Sequence, residues 1–337
     1  MKTSACGVCH SDLHVIKGEI PFPVPGVLGH ELSGVVESTG KGVVGLSRGD
    51  PVVCSFIMPC GSCYFCDRGL EELCEKFYQM NRLKGTMFDG KTRLFRKDGE
   101  PLSMYSMGGL AEYAVVPKQD VFVLPKSVPV QEACILGCAL FTAYGAAKNQ
   151  AELKAGESVA VVAVGGVGSS LVQVSRALGA GRIIAIDVRE DKLEAARSLG
   201  ATDIVNSAKE DAVKKILEIT DGRGVDVAFE ALGRPETLSI AVGSVRAGGR
   251  AVAIGLPKGP TVSFPIEIAR LVRREVKLFG SYGGRPTVDM PAVIKLAEDG
   301  AVRIRDEITR RYQLEKASQA FEALDRGEII GRSIVTF

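Results

Sequence analysis

Between Ser158 and Asp187 an apolar run, a glycine-rich turn, a helix-periodic segment and a second apolar run follow without a break. Neither an all-α nor an all-β chain is built that way. Ser158-Val159-Ala160-Val161-Val162-Ala163-Val164 has no polar alternation, so it predicts a strand buried on both faces. Val167 to Leu178 predicts a helix, Arg182 to Asp187 a second strand and Asp191 to Leu199 a second helix, which together make a βαβ unit. Further strands at Asp203-Ile204-Val205, Val225 to Phe229 and Ala251 to Gly255 extend a mostly parallel sheet that helices must cover on both faces. A segment from Asp211 to Thr220 carries Val213, Ile216, Leu217 and Thr220 at helical spacing and suits that cover. The expected class is α/β, with a doubly wound parallel sheet in this half.

The first half has another texture. Short apolar runs broken by Gly and Pro, such as Gly34-Val35-Val36-Glu37 and Asp50-Pro51-Val52-Val53, predict a β-rich domain with turns, and the polar, Gly-rich stretch Arg82 to Met107 reads as a surface excursion. A chain of 337 residues is long enough for two such domains. Its 42 Lys+Arg against 40 Asp+Glu include no block of like charge, so a nucleic-acid partner is not expected and small molecules are. No apolar run approaches the roughly 20 residues of a membrane helix, and the opening Met-Lys-Thr-Ser-Ala-Cys-Gly has no secretory apolar core, so a cytoplasmic setting is expected. The nine cysteines then need a reason other than disulfides.

Four of them give one. Cys60, Cys63, Cys66 and Cys74 form a C-x2-C-x2-C-x7-C cluster in a Gly-containing loop, a density that suits tetrahedral zinc. An iron–sulfur cluster favours a shorter last gap followed by Pro, whereas Glu75 follows Cys74 here, and a reducing compartment disfavours disulfides. The zinc would fix a loop with no core of its own. Outside the quartet, Cys9 lies in Gly7-Val8-Cys9-His10-Ser11-Asp12-Leu13-His14, His30 in Gly29-His30-Glu31, and Cys138 after Gly137. Each has polar or acidic neighbours able to support a ligand, yet singly each is more often a packed Cys or a satisfied His than a ligand. Cys6, Cys54 and Cys134 read as packing residues.

The turn after Val164 suits a dinucleotide. In Ala163-Val164-Gly165-Gly166-Val167-Gly168 the glycines let the backbone approach a pyrophosphate at the helix amino terminus, and Asp187 ends the next strand nineteen residues after Gly168. An acid there accepts hydrogen bonds from the adenosine ribose and repels a 2′-phosphate, so NAD is expected over NADP. Ala163 stands where the fingerprint has its first Gly, which is tolerable if φ is negative.

Together these motifs, in this order and with Phe141-Thr142-Ala143-Tyr144-Gly145 after Cys138, resemble the zinc-dependent alcohol dehydrogenases of the medium-chain dehydrogenase/reductase family across essentially the whole chain. The resemblance implies a β-rich GroES-like catalytic domain at 1–139 and 281–337, with a structural zinc lobe at about 58–76, and a Rossmann NAD-binding domain at 140–280. It implies that Cys9, His30 and Cys138 are the ligands of an open catalytic zinc, that Asp12 orients His30, and that Glu31 is the acid behind the metal. By the same resemblance Ser11 takes the alcohol proton and His14 passes it on. Thr142 and Ile254 lie at the nicotinamide, Lys192 at the adenosine ribose, and His10 faces the pyrophosphate, where neutral His would hold NAD less tightly than Arg.

The implied activity is reversible hydride transfer between a primary or secondary alcohol and NAD, with two zinc ions per chain, an aldehyde or ketone as product, and a homo-oligomer, dimer or tetramer, as the assembly. The stretch Arg82 to Met107 resembles the longer insertion of the vertebrate-type and aryl-alcohol branches, which favours bulky or aromatic substrates. The alternatives are a zinc dehydrogenase of another substrate class (a polyol, an amino-acid alcohol or S-hydroxymethylglutathione) and a catalytically impaired NAD-binding member. Family members carry about 25 to 30 residues ahead of the Gly-Val-Cys-His motif, room for several strands. Here Cys9 comes almost at once, so either an upstream start or an unpaired sheet edge near the metal site is expected.

Overall fold

A computed structural model describes residues 1–259 and 262–337. They fall into two compact units, one formed by Met1–Phe141, Gly283–Asp299 and Ile308–Phe337, the other by Thr142–Tyr282 and Gly300–Glu307.

The chain enters the first unit through strand β1 (Lys2–Gly7), and Cys9 caps helix α1 (His10–Ile16). Strands β2 (Gly26–Val27), β3 (Leu32–Val35) and β4 (Pro51–Cys54) follow, then β5 (Leu94–Phe95), β6 (Pro101–Met104) and β7 (Val121–Val123). Helix α2 (Ala139–Gly145) leads out of this part. The β-rich expectation holds, with strands no longer than six residues.

The Arg82–Met107 excursion is more ordered than expected. Strand β6 pairs with β2 and β5 in a three-stranded sheet, and Met104 to Met107 are buried. Asn81 explains this, since its buried Nδ2 donates to the carbonyls of Met104 (3.2 Å) and Ser106 (2.9 Å) and ties the segment inward.

In the second unit β8 (Ser158–Val162), α3 (Gly166–Ala177), β9 (Arg182–Asp187), α4 (Glu190–Leu199), β10 (Asp203–Asn206), α5 (Ala212–Ile219), β11 (Val225–Glu230), α6 (Pro235–Ser244), β12 (Val245–Ala253), α7 (Ile268–Arg274) and β13 (Lys277–Gly280) alternate. The six strands lie all-parallel in the order β10-β9-β8-β11-β12-β13, the doubly wound arrangement expected. Strand β12 begins six residues before the expected Ala251, because Val245 already pairs with Val225 ahead of a register shift. Its apolar run was legible only past Gly248 and Gly249. Helix α5 is capped as its sequence implies, Asp211 Oδ1 accepting from Lys214 N at 3.0 Å.

The rest of the chain adds α8 (Pro286–Glu298), α9 (Ile304–Glu307), β14 (Ile308–Gln313), α10 (Ala317–Asp325) and β15 (Arg332–Thr336). Strand β15 inserts beside β1 and gives a six-stranded sheet in the order β14-β15-β1-β3-β4-β7. An unpaired edge at the strand leading to Cys9 is therefore not found. Strand β1 is held on both sides, and the edges are β14 and β7. Helix α10 closes this core, Ala320, Phe321 and Leu324 packing with Val8, Leu13 and Val335. Among the described residues no helix is long and apolar enough to cross a membrane.

Candidate active site and dinucleotide loop

Three turns of the first unit bring Cys9, His30 and Cys138 together. Cys9 follows β1, His30 precedes β3, and Cys138 ends a 3-10 turn (Glu132–Gly137). All three are buried, and Cys138 Sγ lies 3.5 Å from His30 Nε2. With a Glu31 oxygen, one donor atom from each residue falls within 4.8 Å of the others. Asp12 sets the imidazole, with Oδ2 3.0 Å from His30 Nδ1 and Oδ1 accepting from Gly29 N at 3.0 Å. The ring is thereby turned so that Nε2 faces the sulfurs.

The hydrogen bond from Cys138 holds the Cys9 thiol well below its ordinary value and pushes Cys138 up. Burial works against a charged His30, but Asp12 and the Cys9 thiolate outweigh it and raise its pKa. Two sulfurs and one imidazole nitrogen, supported from behind, are the donor chemistry of an open zinc site, so the residues present fit that metal.

Glu31 sits behind this set and has a partner that sequence reasoning missed. Arg332 of β15 pairs with its carboxylate, both side chains being buried. Burial raises the Glu31 carboxyl, and Arg332 counters part of that. No motif joins residues 301 positions apart, so the pair becomes visible only when β15 inserts beside β1. Gly7 permits the arrangement, since a Cβ there would stand 1.9 Å from Glu31 Oε2. Ser11 and His14 fall in one short helix; Ser11 Oγ lies 3.8 Å from Cys9 Sγ, and His14 Nδ1 pairs with Glu19, another residue sequence reasoning passed over. His10 is exposed, its ring centre 6.3 Å from that of His14.

The quartet assembles separately. Cys60 and Cys66 sulfurs are 4.0 Å apart, as are those of Cys63 and Cys74. A tetrahedral site with zinc–sulfur bonds of about 2.3 Å has edges of about 3.8 Å, so this set fits a closed zinc site as well. Backbone N–H groups already point at the sulfurs, Cys60 N donating to Cys74 Sγ at 3.2 Å. Although burial raises it, Cys63 is brought to about 6 by N–H groups of Cys66, Glu75 and Phe65, whereas burial pushes Cys66 and Cys74 up. The lobe also grips α8. Glu71 accepts from Thr287 N at 2.9 Å and from its hydroxyl, and Glu72 lies 3.6 Å from Arg285.

In the second unit Gly165 caps α3, and Gly166, Val167 and Gly168 form its first turn, where N–H groups have no intrahelical partner. A Cβ on Gly165 would meet nothing within 4 Å, and this open approach beside bare N–H groups fits a pyrophosphate. The expected negative φ at Ala163 is not found. Its φ is +71°, in the left-handed region. The turn requires it, because Ala163 N donates to Ile186 O at 2.8 Å while its own carbonyl backs onto Gly168, where a Cβ would stand 2.0 Å away. An L-residue there costs about 1–2 kcal/mol.

Asp187 ends β9 and braces the turn, accepting from Val164 N at 3.0 Å with one oxygen and from Val188 N (2.8 Å) and Arg189 N (3.1 Å) with the other. Thr142 is buried in α2, Lys192 is half-buried in α4, and Ile254 is buried just past β12. Sequence reasoning also overlooked Glu230, whose Oε1 accepts from Leu232 N, Gly233 N and Thr237 Oγ1 at 2.7–2.8 Å, and whose carbonyl takes Ile254 N at 2.9 Å. It fixes the loop after β11 against the end of β12.

Comparison with known proteins places the whole chain in one family. Residues 1–126 match the alcohol dehydrogenase GroES-like domain, and residues 166–299 match the zinc-binding dehydrogenase family. The chain is 34% identical to alcohol dehydrogenase class-3 of Drosophila melanogaster, over 100% of this chain and 90% of that protein. It is similar to an alcohol dehydrogenase zinc-binding domain protein from Burkholderia ambifaria, at a TM-score of 0.94 and 33% identity over 100% of this chain and 90% of that one. It is also similar to benzyl alcohol dehydrogenase from Acinetobacter calcoaceticus, at 0.91 and 31%, over 100% and 91%. The chain belongs to the zinc-dependent alcohol dehydrogenases of the medium-chain dehydrogenase/reductase family.

Proposed function

We propose that this chain interconverts primary or secondary alcohols, aromatic or bulky ones included, with their aldehydes or ketones, using NAD. The buried set Cys9, His30 and Cys138, with Asp12 behind the imidazole, carries the reading. These three residues would hold a catalytic zinc, and Cys60, Cys63, Cys66 and Cys74 a structural one, giving two ions per chain. When bound in an open Cys2His site, zinc polarises an alcohol hydroxyl and lowers its pKa. Residues 1–139 and 281–337 then serve as the catalytic domain and 140–280 as the NAD domain.

The remaining roles belong to the chain's own side chains. Asp12 keeps His30 in one orientation, and Glu31, countered by Arg332, supplies negative charge behind the donor set. Ser11 Oγ takes the alcohol proton, and His14, its Nδ1 held by Glu19, passes it on through Nε2. The turn Gly165, Gly166, Val167 and Gly168 receives the pyrophosphate, with His10 facing it. Asp187 and Lys192 bind the adenosine ribose, and Thr142 and Ile254 flank the nicotinamide.

We read the assembly as a homo-oligomer, because β13 is an edge strand and Ile268, Val272 and Leu278 of the same unit are exposed. A cytoplasmic setting suits nine free cysteines. The test is zinc per chain by elemental analysis of protein purified without added metal, followed by NADH formation on a panel of aliphatic, aromatic and polyhydric alcohols. About two zinc ions with alcohol-dependent NADH is the expected result. Two zinc ions with no NADH from any alcohol would refute the activity, and one would refute the ligand assignment.

A further inference from the structure

Asp120 is fully buried in a 3-10 turn (Lys118–Asp120) ahead of β7, and its carboxyl meets the equally buried Ser55 at the end of β4. Ser55 Oγ lies 2.6 Å from Asp120 Oδ1 and 2.7 Å from Ile57 O, while Asp120 Oδ2 meets no hydrogen-bonding atom among the described residues. A hydroxyl has one proton to give, and a backbone carbonyl can only accept. If Ser55 gave its proton to an ionised carboxylate, Ile57 O would face a lone pair at 2.7 Å, and Oδ2 would hold buried charge with nothing to share it. One arrangement avoids both costs: a neutral carboxyl donates to Ser55 Oγ, and Ser55 donates to Ile57 O. Burial pushes the Asp120 carboxyl well above its ordinary value, and Ser55 opposes that only in part. Its titratable neighbours are Cys54 of β4, with the Met1 amine beyond it, and the exposed Lys118 of its own turn. Helix α8 packs on the turn and brings Asp289, which accepts from Arg285 N, and Lys295, which pairs with Glu298 and Asp299. None of these offsets the burial of Asp120.

The segment held in this way seats two of the three metal donors. Gly137, just ahead of Cys138, backs onto Cys54 O, where a Cβ would stand 1.9 Å away, and its carbonyl accepts from Phe56 N at 2.9 Å. Phe56 O accepts from Ser106 Oγ at 2.9 Å, and the Phe56 ring meets His30 edge-on at 6.0 Å between centres. A shift of Ser55 to Ile57 is therefore felt at Cys138 through the backbone and at His30 through the ring. We propose that Asp120 is a positioning residue for the open zinc site, its carboxyl proton holding Ser55 to Ile57 in the conformation that seats Cys138 and His30. This rests on the reading of Cys9, His30 and Cys138 as zinc ligands and adds to it a residue that acts on them only through Ser55.

The experiment uses Asp120→Asn, whose amide still donates to Ser55 but cannot ionise, and Asp120→Ala and Ser55→Ala, which break the contact. Melting of the zinc-loaded proteins is followed by calorimetry between about pH 5 and pH 8. A carboxyl raised in the folded state makes wild-type stability fall as pH climbs from the unfolded carboxylate range toward the folded value. The melting temperature of Asp120→Asn relative to wild type should therefore rise by about 3 °C or more across that range. A flat or falling difference, the behaviour of an ordinary ionised aspartate, overturns the proposal. Zinc release to a chromogenic chelator is timed on the same proteins, with Cys138→Ala marking which ion belongs to the open site. Asp120→Ala should speed loss of that ion by about threefold to tenfold, less than for a group touching a ligand directly, and leave the other unchanged. Ser55→Ala should match it, and Asp120→Asn should return to the wild-type rate. Release that ignores Asp120→Ala, or that Asp120→Asn fails to restore, overturns the proposal. If Asp120→Ala does not fold, Ser55→Ala decides by the same criterion. A wild type holding one zinc ion refutes the reading of the donor set and takes the proposal with it, whereas two ions with an unchanged release rate refute the proposal alone.

Discussion

Replacing Arg332 with Met tests the pair behind the candidate zinc site. The substitution leaves Glu31, fully buried, without its guanidinium partner, with His30 Nε2 4.0 Å away and Cys9 close by. Removing one partner of a buried ion pair costs about 3–5 kcal/mol. Relaxation offers little relief here, because Glu31 Oε2 is wedged against Gly7, so the upper part of that range is expected. For a body of this size that corresponds to a fall in melting temperature of roughly 8–20 °C.

The pH dependence has a defined sign. Burial already raises the folded Glu31 carboxyl above its unfolded value, and losing Arg332 removes an influence that lowers it. The folded variant therefore binds a proton that the unfolded chain has released, and its stability falls as pH rises from the ordinary carboxylate range through the raised folded value. Differential scanning calorimetry at about pH 5 and pH 8 should show the larger deficit at the higher pH. The double variant Arg332→Met/Glu31→Gln should recover more than half of the loss, since the carboxylate that Arg332 offset is gone as well. A single variant melting within about 2 °C of wild type, or a double variant no more stable than the single, would refute the argument.

Three further substitutions probe the cofactor turn and the proton path. Ala163→Gly relieves a left-handed alanine but loosens the unfolded chain, so a net gain of up to about 1 kcal/mol is expected in chemical denaturation; a loss would mean that the turn is not strained. Asp187→Gly removes the acceptor of three backbone N–H groups and should reduce the preference for NAD over NADP by about 1–3 kcal/mol. If stability drops while the ratio of kcat/KM values for the two cofactors stays constant, the acid is only a brace. His14→Gln should slow alcohol oxidation most at the acid end of the active range, and an unchanged pH–rate profile would remove His14 from the proton path.

The second unit was nearly readable from the chain alone, for a physical reason. Strands such as Arg182–Asp187 are buried on both faces, so their apolar runs are continuous, and their pairing partners lie one helix away in sequence. Its errors came from backbone rather than side-chain chemistry: nothing in Ala163 announces a positive φ, and a glycine pair interrupted the signal of β12. The first unit was legible only as a class. Its strands span two to six residues, and β15 joins β1 from the far end of the chain. Cys9, His30 and Cys138 came forward as candidate donors only through the family resemblance of the motifs around them, whereas Arg332 and Glu19 carry no local signal and were found only by folding. Asn81 is the same lesson just ahead of the Arg82–Met107 stretch, where one buried amide ties a polar segment into ordered structure.

The grip of Glu71 on Thr287 has an evolutionary corollary. Two segments 216 residues apart share one set of hydrogen bonds, so neither can drift freely. A lineage that lost the four cysteines would also unseat the start of α8, and one that rebuilt α8 would need a new acid in the lobe. The lobe and that helix are therefore expected to be inherited, or discarded, together.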